Sequence, residues 1–206
     1  IPNAVTLYLQ HHKNLGVHSE MISDGIVDLI QHGIVNNRYK TFHPGKTVVS
    51  FCFGTQKLYD FVDMNPHLEF YPSSYVNKPA NIAKNDNMVA INSALEVDLS
   101  GQVVSDSIGN HFYSGIGGQV DFVTGASKSK NGKPIIALPS TARNGEVSRI
   151  VATLTEGSGV VTSRGNVHYV VTEFGIASLQ GKSVRERALE LIRVAHPKFR
   201  DELLAQ

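Results

Sequence analysis

Short apolar runs that alternate with amphipathic segments are the feature that most limits how this chain can fold. The runs "KTVVSFCF" (46–53) and "PIIALPS" (134–140) are rich in apolar, β-branched and aromatic residues and lack the strict polar alternation of a half-exposed strand. Continuous apolar runs are typical of strands covered on both faces, since both sets of side chains then lie away from water. The chain is therefore predicted to build a sheet buried on both sides.

Much of the sequence between these runs has the apolar spacing of amphipathic helices. Asp24 is predicted to cap a helix that Gly33 ends, and Gly101 to form a hairpin turn. The predicted strands cover residues 15–19, 46–53, 68–72, 88–99, 102–109, 134–140, 146–152 and 167–175. The predicted helices cover residues 3–12, 25–32 and 55–65, segments after Pro79 and from about 119, and 183–204 with an interruption at Pro197. This alternation predicts one α/β domain with an open, mostly parallel sheet and helices on both faces.

Composition excludes several classes of protein. With 206 residues and 41% hydrophobic content the chain can bury a substantial core. Its 19 Lys and Arg against 18 Asp and Glu leave no basic surplus for nucleic acid. No apolar run reaches the roughly 18–20 residues of a membrane helix. A single cysteine, Cys52, rules out an internal disulfide and suits a reducing compartment, so we expect a cytoplasmic protein that binds neither nucleic acid nor membrane.

Two glutamates occupy positions that favour chemistry. Glu20 follows "VHS" and Glu173 follows "YVVT", and each is predicted to end a strand. The carboxyl ends of strands are where open α/β sheets bind ligands. A partly desolvated carboxylate there can act as a nucleophile or a base, since it reacts more readily than a hydrated one. Taken singly, either residue is interpreted first as a helix-capping or ion-paired glutamate.

The glycine cluster "SGIGGQVDF" is the second candidate element. Gly115, Gly117 and Gly118 would let the backbone approach a ligand, and amides at the start of the next helix could face an anion or a developing oxyanion. It is not the dinucleotide fingerprint, because Val120 stands where that motif needs its last glycine. A tight structural turn is the alternative interpretation.

Other catalytic classes find little support. The nine histidines include no pair spaced as zinc ligands on a helix, so each is interpreted as a surface or packing residue and no metal site is predicted. No G-x-S-x-G elbow is present, which argues against a serine hydrolase.

Four segments together resemble a known family. They are "LGVHSEMISDGIVDL", "INSALEVDLSGQVVSDSIGNHFYSGIGGQVDF", "IIALPSTARNGEVSRIV" and "YVVTEFGIASLQGKSVRERALELIRVAHPKFRDEL". In this order they look like the C-terminal half of the acetyl-CoA hydrolase/transferase family, with the strongest resemblance to its 4-hydroxybutyrate and butyryl-CoA:acetate CoA-transferases. The resemblance implies the CoA-transferase fold.

The resemblance also implies a covalent mechanism and a set of site residues. Glu20 in "HSEM" matches the family nucleophile, which forms an acyl anhydride and then a glutamyl-CoA thioester. Gly118 matches an oxyanion-hole glycine, Asn77 an asparagine near the reacting carbonyl, and Glu173 a second active-site glutamate. The implied contacts to coenzyme A come from Gly115, Gly117, Gly118, Leu95, Arg143 and Arg164. Coenzyme A and acyl-CoA are then substrates, with no permanently bound cofactor.

Family members also have an N-terminal half with further coenzyme A contacts, and this chain begins just after the point where that half ends. Residues 1–206 are therefore expected to be a C-terminal catalytic domain whose N-terminal domain is missing. The expected partners are acyl-CoA, a short carboxylate (acetate, butyrate or 4-hydroxybutyrate), the missing domain and further copies of the protein in a homo-oligomer. Two alternatives stay open: an acyl-CoA hydrolase, and a non-catalytic coenzyme A-binding or subunit-interaction fragment.

The isolated 206-residue chain is expected to be inactive or nearly so. A nucleophile without its positioning groups loses most of its advantage in rate. The measurement is acyl transfer by the purified chain in the presence of acyl-CoA and acetate. Transfer at a normal enzymatic rate would contradict the expectation.

Overall fold

The structure, a computed structural model, describes residues 2–206, with side chains from residue 4 onward. Its contacts divide the chain into two compact units, which are described separately. The first unit extends to Met88 and includes Lys128–Gly132, and the second holds Val89–Ser127 and Lys133–Gln206. The single domain expected over the whole chain stays a prediction.

The first unit combines short parallel strands with helices. Its helices are α1 (Pro2–Tyr8), α2 (Asp24–Gln31), α3 (Gln56–Val62), α4 (Ser73–Val76) and α5 (Pro79–Ile82). Its strands are β1 (Met21–Ile22), β2 (Thr47–Val49), β3 (Phe51–Cys52) and β4 (Leu68–Phe70). β1 pairs with β3 and β2 with β4, both in parallel. Ile22, Val49 and Leu58, all buried, pack together in the core.

The second unit is built on a four-stranded sheet in the order β15-β14-β10-β5. Its strands are β5 (Val89–Ser93), β6 (Glu96–Asp98), β7 (Val103–Val104), β8 (Ser107–Ile108), β9 (His111–Phe112), β10 (Lys133–Ala137), β11 (Thr141–Ala142), β12 (Val147–Ser148), β13 (Ile150–Val151), β14 (Tyr169–Thr172) and β15 (Gly175–Ser178). Its helices are α6 (Gln119–Lys128), α7 (Val184–Val194) and α8 (Pro197–Leu204). β5, β10 and β14 are parallel, and β15 returns antiparallel to β14.

These observations confirm the α/β class with open, mostly parallel sheets. Gly101 adopts φ 92° between the antiparallel strands β6 and β7, as a hairpin turn requires. Gly33 follows α2 at φ 72°, so its predicted role as the helix stop is also confirmed. None of the helices within residues 2–206 combines the length and apolar character that crossing a membrane requires.

Five predicted strands are interrupted, and a change of pairing partner explains four of the breaks. The run 46–53 divides at Ser50, because β2 pairs with β4 whereas β3 pairs with β1. The run 88–99 divides after Ser93, because β5 joins the four-stranded sheet and β6 pairs with β7 and β13. The run 102–109 divides after Val104, because β7 pairs with β6 whereas β8 pairs with β9. The run 146–152 divides at Arg149, because β12 pairs with β11 whereas β13 pairs with β6. The run 167–175 reverses direction after Thr172 in a tight hairpin.

Asp24 does not cap the helix that it begins, so that prediction is wrong. Ser23 is the N-cap residue of α2, and Asp24 is the first helical residue. The Asp24 carboxylate instead accepts hydrogen bonds from Oγ1 of Thr55, at 2.7 Å, and from its backbone N. Thr55 is the N-cap of α3. These bonds, the side-chain one first, hold the pKa of Asp24 below its usual value.

In the second unit, a buried and an exposed isoleucine are expected to contribute very differently to the free energy of unfolding. Ile136 on β10 is 1% exposed within the core, whereas Ile176 on β15 is 61% exposed. Ile136→Ala is expected to lower the free energy of unfolding by about 2–5 kcal/mol, because it removes buried methyl groups and leaves a cavity. The matched variant Ile176→Ala should change it by less than about 0.5 kcal/mol. Urea unfolding of both variants measures the difference, and equal losses would contradict this account of the core.

Candidate active site

The first unit brings two predicted site residues, Glu20 and Asn77, into direct contact. Nδ2 of Asn77 donates a hydrogen bond to Oε2 of Glu20, and both residues are partly buried. The bond holds one carboxylate oxygen of Glu20, and a carboxylate is a group that can attack a carbonyl as a nucleophile. The contact joins segments 57 residues apart in sequence.

Glu20 does not end a regular strand, so the predicted strand boundary is wrong. Regular pairing resumes after it, at Met21 of β1. The chain bends at Glu20, whose backbone carbonyl accepts hydrogen bonds from Ser50 N at 2.9 Å and Phe51 N at 3.1 Å. This double acceptance interrupts the regular ladder and leaves Glu20 at a break between paired segments.

Asn77 follows α4, and two histidines hold that helix in place. Nε2 of His18 lies 2.8 Å from the Val76 carbonyl oxygen. Nε2 of His43 lies 2.9 Å from the Tyr75 hydroxyl, and Nδ1 of His43 lies 2.7 Å from Oε2 of Glu69. His18 is buried, as the packing interpretation allows, but its hydrogen bond to the residue before Asn77 was not foreseen. Its position two residues before Glu20 was the only signal in the sequence.

Two polar atoms near the Glu20 backbone and its amide partner are left unused by the protein. Among the residues that the structure describes, neither Oδ1 of Asn77 nor Oγ of Ser50 has a hydrogen-bond partner, although both atoms are buried. Ser50 donates its backbone N–H to the Glu20 carbonyl. Buried polar atoms without partners are uncommon and often mark functional positions.

In the second unit, Glu173 follows the carboxyl end of β14, as predicted. Its Oε1 accepts a hydrogen bond of 2.5 Å from the Ser140 hydroxyl, and its Oε2 accepts one of 2.9 Å from Ser140 N. Partial desolvation would raise the pKa of the Glu173 carboxyl, but the bonds from Ser140 and the charge of His196 outweigh it and hold that pKa below its usual value. Ser140 was missed by sequence reasoning, although it follows the neighbouring parallel strand β10.

The glycine cluster forms a loop that leads into α6. Gly117 adopts φ 64°, which glycine alone accepts without strain, and a Cβ at Gly115 or Gly117 would meet no atom within 4 Å. The Gly118 carbonyl accepts a hydrogen bond from Phe122 N, so Gly118 opens the helix. The first amides of a helix have no partners inside it and can face an anion.

Gln119, which sequence reasoning also missed, fixes the base of this loop. It is buried at the first position of α6. Its Nε2 donates to the Ser93 carbonyl at 2.6 Å, and its Oε1 accepts hydrogen bonds from the hydroxyls of Ser105, at 2.9 Å, and Thr162, at 3.1 Å. Gln119 therefore ties the start of α6 to the carboxyl end of β5.

The three remaining residues predicted to contact coenzyme A differ in their exposure to solvent. Arg143 and Arg164 are exposed, and Leu95 is partly buried. Arg143 adopts φ 49°, an uncommon value for a residue other than glycine. The Arg149 guanidinium donates to the backbone carbonyls of Leu95 and Thr141, each at 3.3 Å, so one side chain supports both segments.

The structure thus divides the predicted site residues between the two units. The first unit joins Glu20 to Asn77, and the second holds all the others: Leu95, Gly115, Gly117, Gly118, Arg143, Arg164 and Glu173. Within residues 2–206, no three His, Cys, Asp or Glu side chains form a group that could hold a metal ion.

Comparison with known proteins decides the family. The model of the acetyl-CoA hydrolase/transferase C-terminal domain matches residues 54–206. The chain belongs to the acetyl-CoA hydrolase/transferase family. A family member from Clostridium kluyveri, named 4-hydroxybutyrate coenzyme A transferase, is 60% identical over 204 residues, which are 99% of this chain and 48% of that protein.

Solved structures of the family agree in fold. The crystal structure of RipA from Yersinia pestis has a TM-score of 0.94 at 46% identity, covering 99% of this chain and 46% of that one. The crystal structure of 4-hydroxybutyrate CoA-transferase from Porphyromonas gingivalis has a TM-score of 0.87 at 48% identity, covering 100% of this chain and 48% of that one. The chain spans about half the length of the curated relatives it matches.

The hydrogen bonds at Glu173 predict a specific change in its titration. Ser140→Ala removes the hydroxyl donor to the ionised form, so the pKa of Glu173 should rise toward its usual value. A lowered pKa contributes stability above the pKa of the unfolded chain, about 4.3, and this is lost as pH falls through the folded value. The stability lost in Ser140→Ala should therefore be largest at neutral pH and shrink in acid.

Carboxyl carbon NMR titration of Glu173 measures the first effect, and urea unfolding at several pH values measures the second. Ser148→Ala is the matched control, because the Ser148 hydroxyl donates to the neutral carbonyl of Ile150. Its effect on stability should not depend on pH. An unchanged pKa of Glu173 in Ser140→Ala would contradict the assignment of Ser140 as the donor that favours the charged form.

Proposed function

We propose that this chain carries the nucleophile of a CoA-transferase that moves coenzyme A between a short-chain acyl-CoA and a carboxylate. Glu20 is the proposed nucleophile. The observation that carries the proposal is the hydrogen bond from Asn77 Nδ2 to the Glu20 carboxylate, in a chain whose family members include named CoA-transferases. An acceptor such as acetate, butyrate or 4-hydroxybutyrate is consistent with the names of those relatives.

In the proposed mechanism, Glu20 is the protein group that forms and breaks covalent bonds in each half-reaction. A carboxylate oxygen of Glu20 attacks the thioester carbonyl, the C–S bond breaks, and CoA leaves as the thiolate, which gives a mixed anhydride. The thiolate then attacks the glutamyl carbonyl carbon, the bond between that carbon and the bridging oxygen of the anhydride breaks, and the acyl group departs with that oxygen as its carboxylate. An incoming carboxylate reverses both steps on the glutamyl-CoA thioester. Neither water nor a redox partner is consumed, so the thioester energy is conserved.

Asn77 and Gly118 are the proposed donors to negative charge. Nδ2 of Asn77 already contacts the Glu20 oxygen that becomes an oxyanion when the glutamyl carbonyl is attacked. Gly118, at the start of α6, is proposed to present its amide to the acyl oxyanion. Gly115 and Gly117 leave open space along this loop, which supports close approach of coenzyme A.

The other site residues are proposed to position the substrate. Both oxygens of Glu173 accept hydrogen bonds and its pKa is held low, so it suits a fixed acceptor better than a proton-removing base. Arg143 and Arg164 are exposed cations that can meet phosphate groups of coenzyme A, and Leu95 is proposed to contact the same substrate.

We extend the proposal to the complete gene product. Residues 1–206 are proposed to be the C-terminal catalytic domain, with an N-terminal domain that supplies further coenzyme A contacts and with a homo-oligomer as the working form. The support is that the curated relatives are about twice as long as this chain. The activity, the substrates and the partners therefore belong to the longer polypeptide.

Intact-mass analysis of the complete gene product after incubation with acyl-CoA tests the covalent mechanism. We expect a CoA-sized gain on the peptide that contains Glu20. Glu20→Gln should abolish it, because the neutral amide is a poor nucleophile. Asn77→Ala should slow its formation by about 10²- to 10³-fold, the usual effect of removing one oxyanion donor. Glu156→Gln, at an exposed position, is the matched control and should leave it unchanged.

The acceptor dependence separates the alternatives. A transferase releases the new acyl-CoA only when a carboxylate is supplied, whereas a hydrolase releases coenzyme A in its absence. If the Glu20→Gln protein turned over normally, the covalent mechanism would fail and a non-catalytic role for this domain would gain support.

A further inference from the structure

Two side-chain hydrogen bonds join the segment around Glu20 to the residues around Asn77. His18 donates from Nε2 to the Val76 carbonyl oxygen at 2.8 Å, and Asn77 donates from Nδ2 to the Glu20 carboxylate. The two bonds run in opposite directions between the same two segments. His18 therefore acts on the peptide group that immediately precedes the amide partner of Glu20.

His18 can act as a permanent hydrogen-bond donor to the Val76 carbonyl. A carbonyl oxygen can only accept, so Nε2 carries the hydrogen and the imidazole tautomer is fixed. The side chain is 6% exposed. Burial lowers the pKa of His18 to about 4, against the opposing effect of its bond to Val76. The ring is thus neutral at neutral pH and its donor does not change.

The contact links the peptide group before Asn77 to the segment that carries Glu20. The Val76 carbonyl belongs to the same planar peptide as the Asn77 backbone N–H, which donates within the helix to the Ser73 carbonyl at 2.8 Å. The helix therefore orients this peptide, and the His18 bond ties it to the Glu20 segment. Side chains outside α4 also contact Tyr75: its hydroxyl bonds to His43 and its carbonyl accepts from Asn81 Nδ2 at 3.0 Å. These bonds hold the helix at Tyr75, whereas the His18 bond holds it at Val76.

We propose that His18 is a positioning residue that sets the Asn77 amide against the Glu20 carboxylate. The inference rests on the proposed function, in which that amide stabilises charge on the glutamyl oxygen. A displacement of about 1 Å at such a group can cost about 10²-fold in rate, so the effect should be visible in the chemical step.

Two amide substitutions in the complete gene product test the proposal, because they differ only in reach. In His18→Gln the side-chain amide can place a donor where Nε2 lies, whereas the shorter chain in His18→Asn cannot. We expect His18→Asn to slow formation of glutamyl-CoA by about 10²-fold in single-turnover measurements. His18→Gln should stay within about threefold of the unsubstituted protein. The fall should appear in kcat, with little change in KM for acyl-CoA.

A double-mutant cycle separates positioning from general damage to the fold. If His18 acts through Asn77, His18→Asn should slow an Asn77→Ala protein by no more than about twofold, because the group it positions is gone. His168→Asn is the matched control, since His168 is also a buried histidine but lies outside the proposed site. It should lower thermal stability without slowing glutamyl-CoA formation.

The outcomes are distinct. Equal slowing by His18→Asn in both backgrounds, or equal rates for the Gln and Asn substitutions, would overturn the positioning role and leave a packing role. Absence of glutamyl-CoA in the unsubstituted protein would instead overturn the proposed function itself. If His18→Asn fails to fold, the cycle run with His18→Gln still decides: slowing of more than about tenfold despite the restored donor would contradict the proposal.

Discussion

Parallel pairing of short strands is the constraint on which both units depend. In a parallel sheet the carboxyl ends of neighbouring strands lie at one edge, so residues far apart in sequence meet there. β10 and β14 end beside each other, and this is why Ser140 can hold both oxygens of Glu173. In the first unit, β1 and β3 pair in parallel just after Glu20 and Ser50.

The carboxylates of Glu20 and Glu173 accept hydrogen bonds from different donors, and this difference agrees with the different roles proposed for them. Glu173 accepts a hydroxyl and a peptide N–H, which satisfy both of its oxygens and lower its pKa. Glu20 accepts a hydrogen bond from the Asn77 side-chain amide on one carboxylate oxygen, Oε2. A carboxylate with hydrogen bonds on both oxygens suits the proposed role of a fixed acceptor. A carboxylate with a hydrogen bond on one oxygen suits the proposed role of a nucleophile.

Sequence patterns predicted several elements correctly, because those elements depend on local physics. The helix stop at Gly33 and the hairpin at Gly101 follow from the backbone freedom of glycine. The interruption at Pro197 follows from the missing amide hydrogen of proline, and α8 begins there. The breaks at Ser50 and after Ser93 were not predicted, because each depends on which strand the chain pairs with next.

The amino-acid sequence by itself determined the α/β class, the family and the place of Glu173 after a strand, since hydrophobic period and motif order are properties of the chain alone. Tertiary structure alone decided that Asp24 bonds to Thr55, that Ser140 binds Glu173 and that His18 reaches the peptide before Asn77. These contacts span 31, 33 and 58 residues, and no local propensity encodes such a distance. Folding brings each donor to its acceptor, and the sequence shows only which residues can take part.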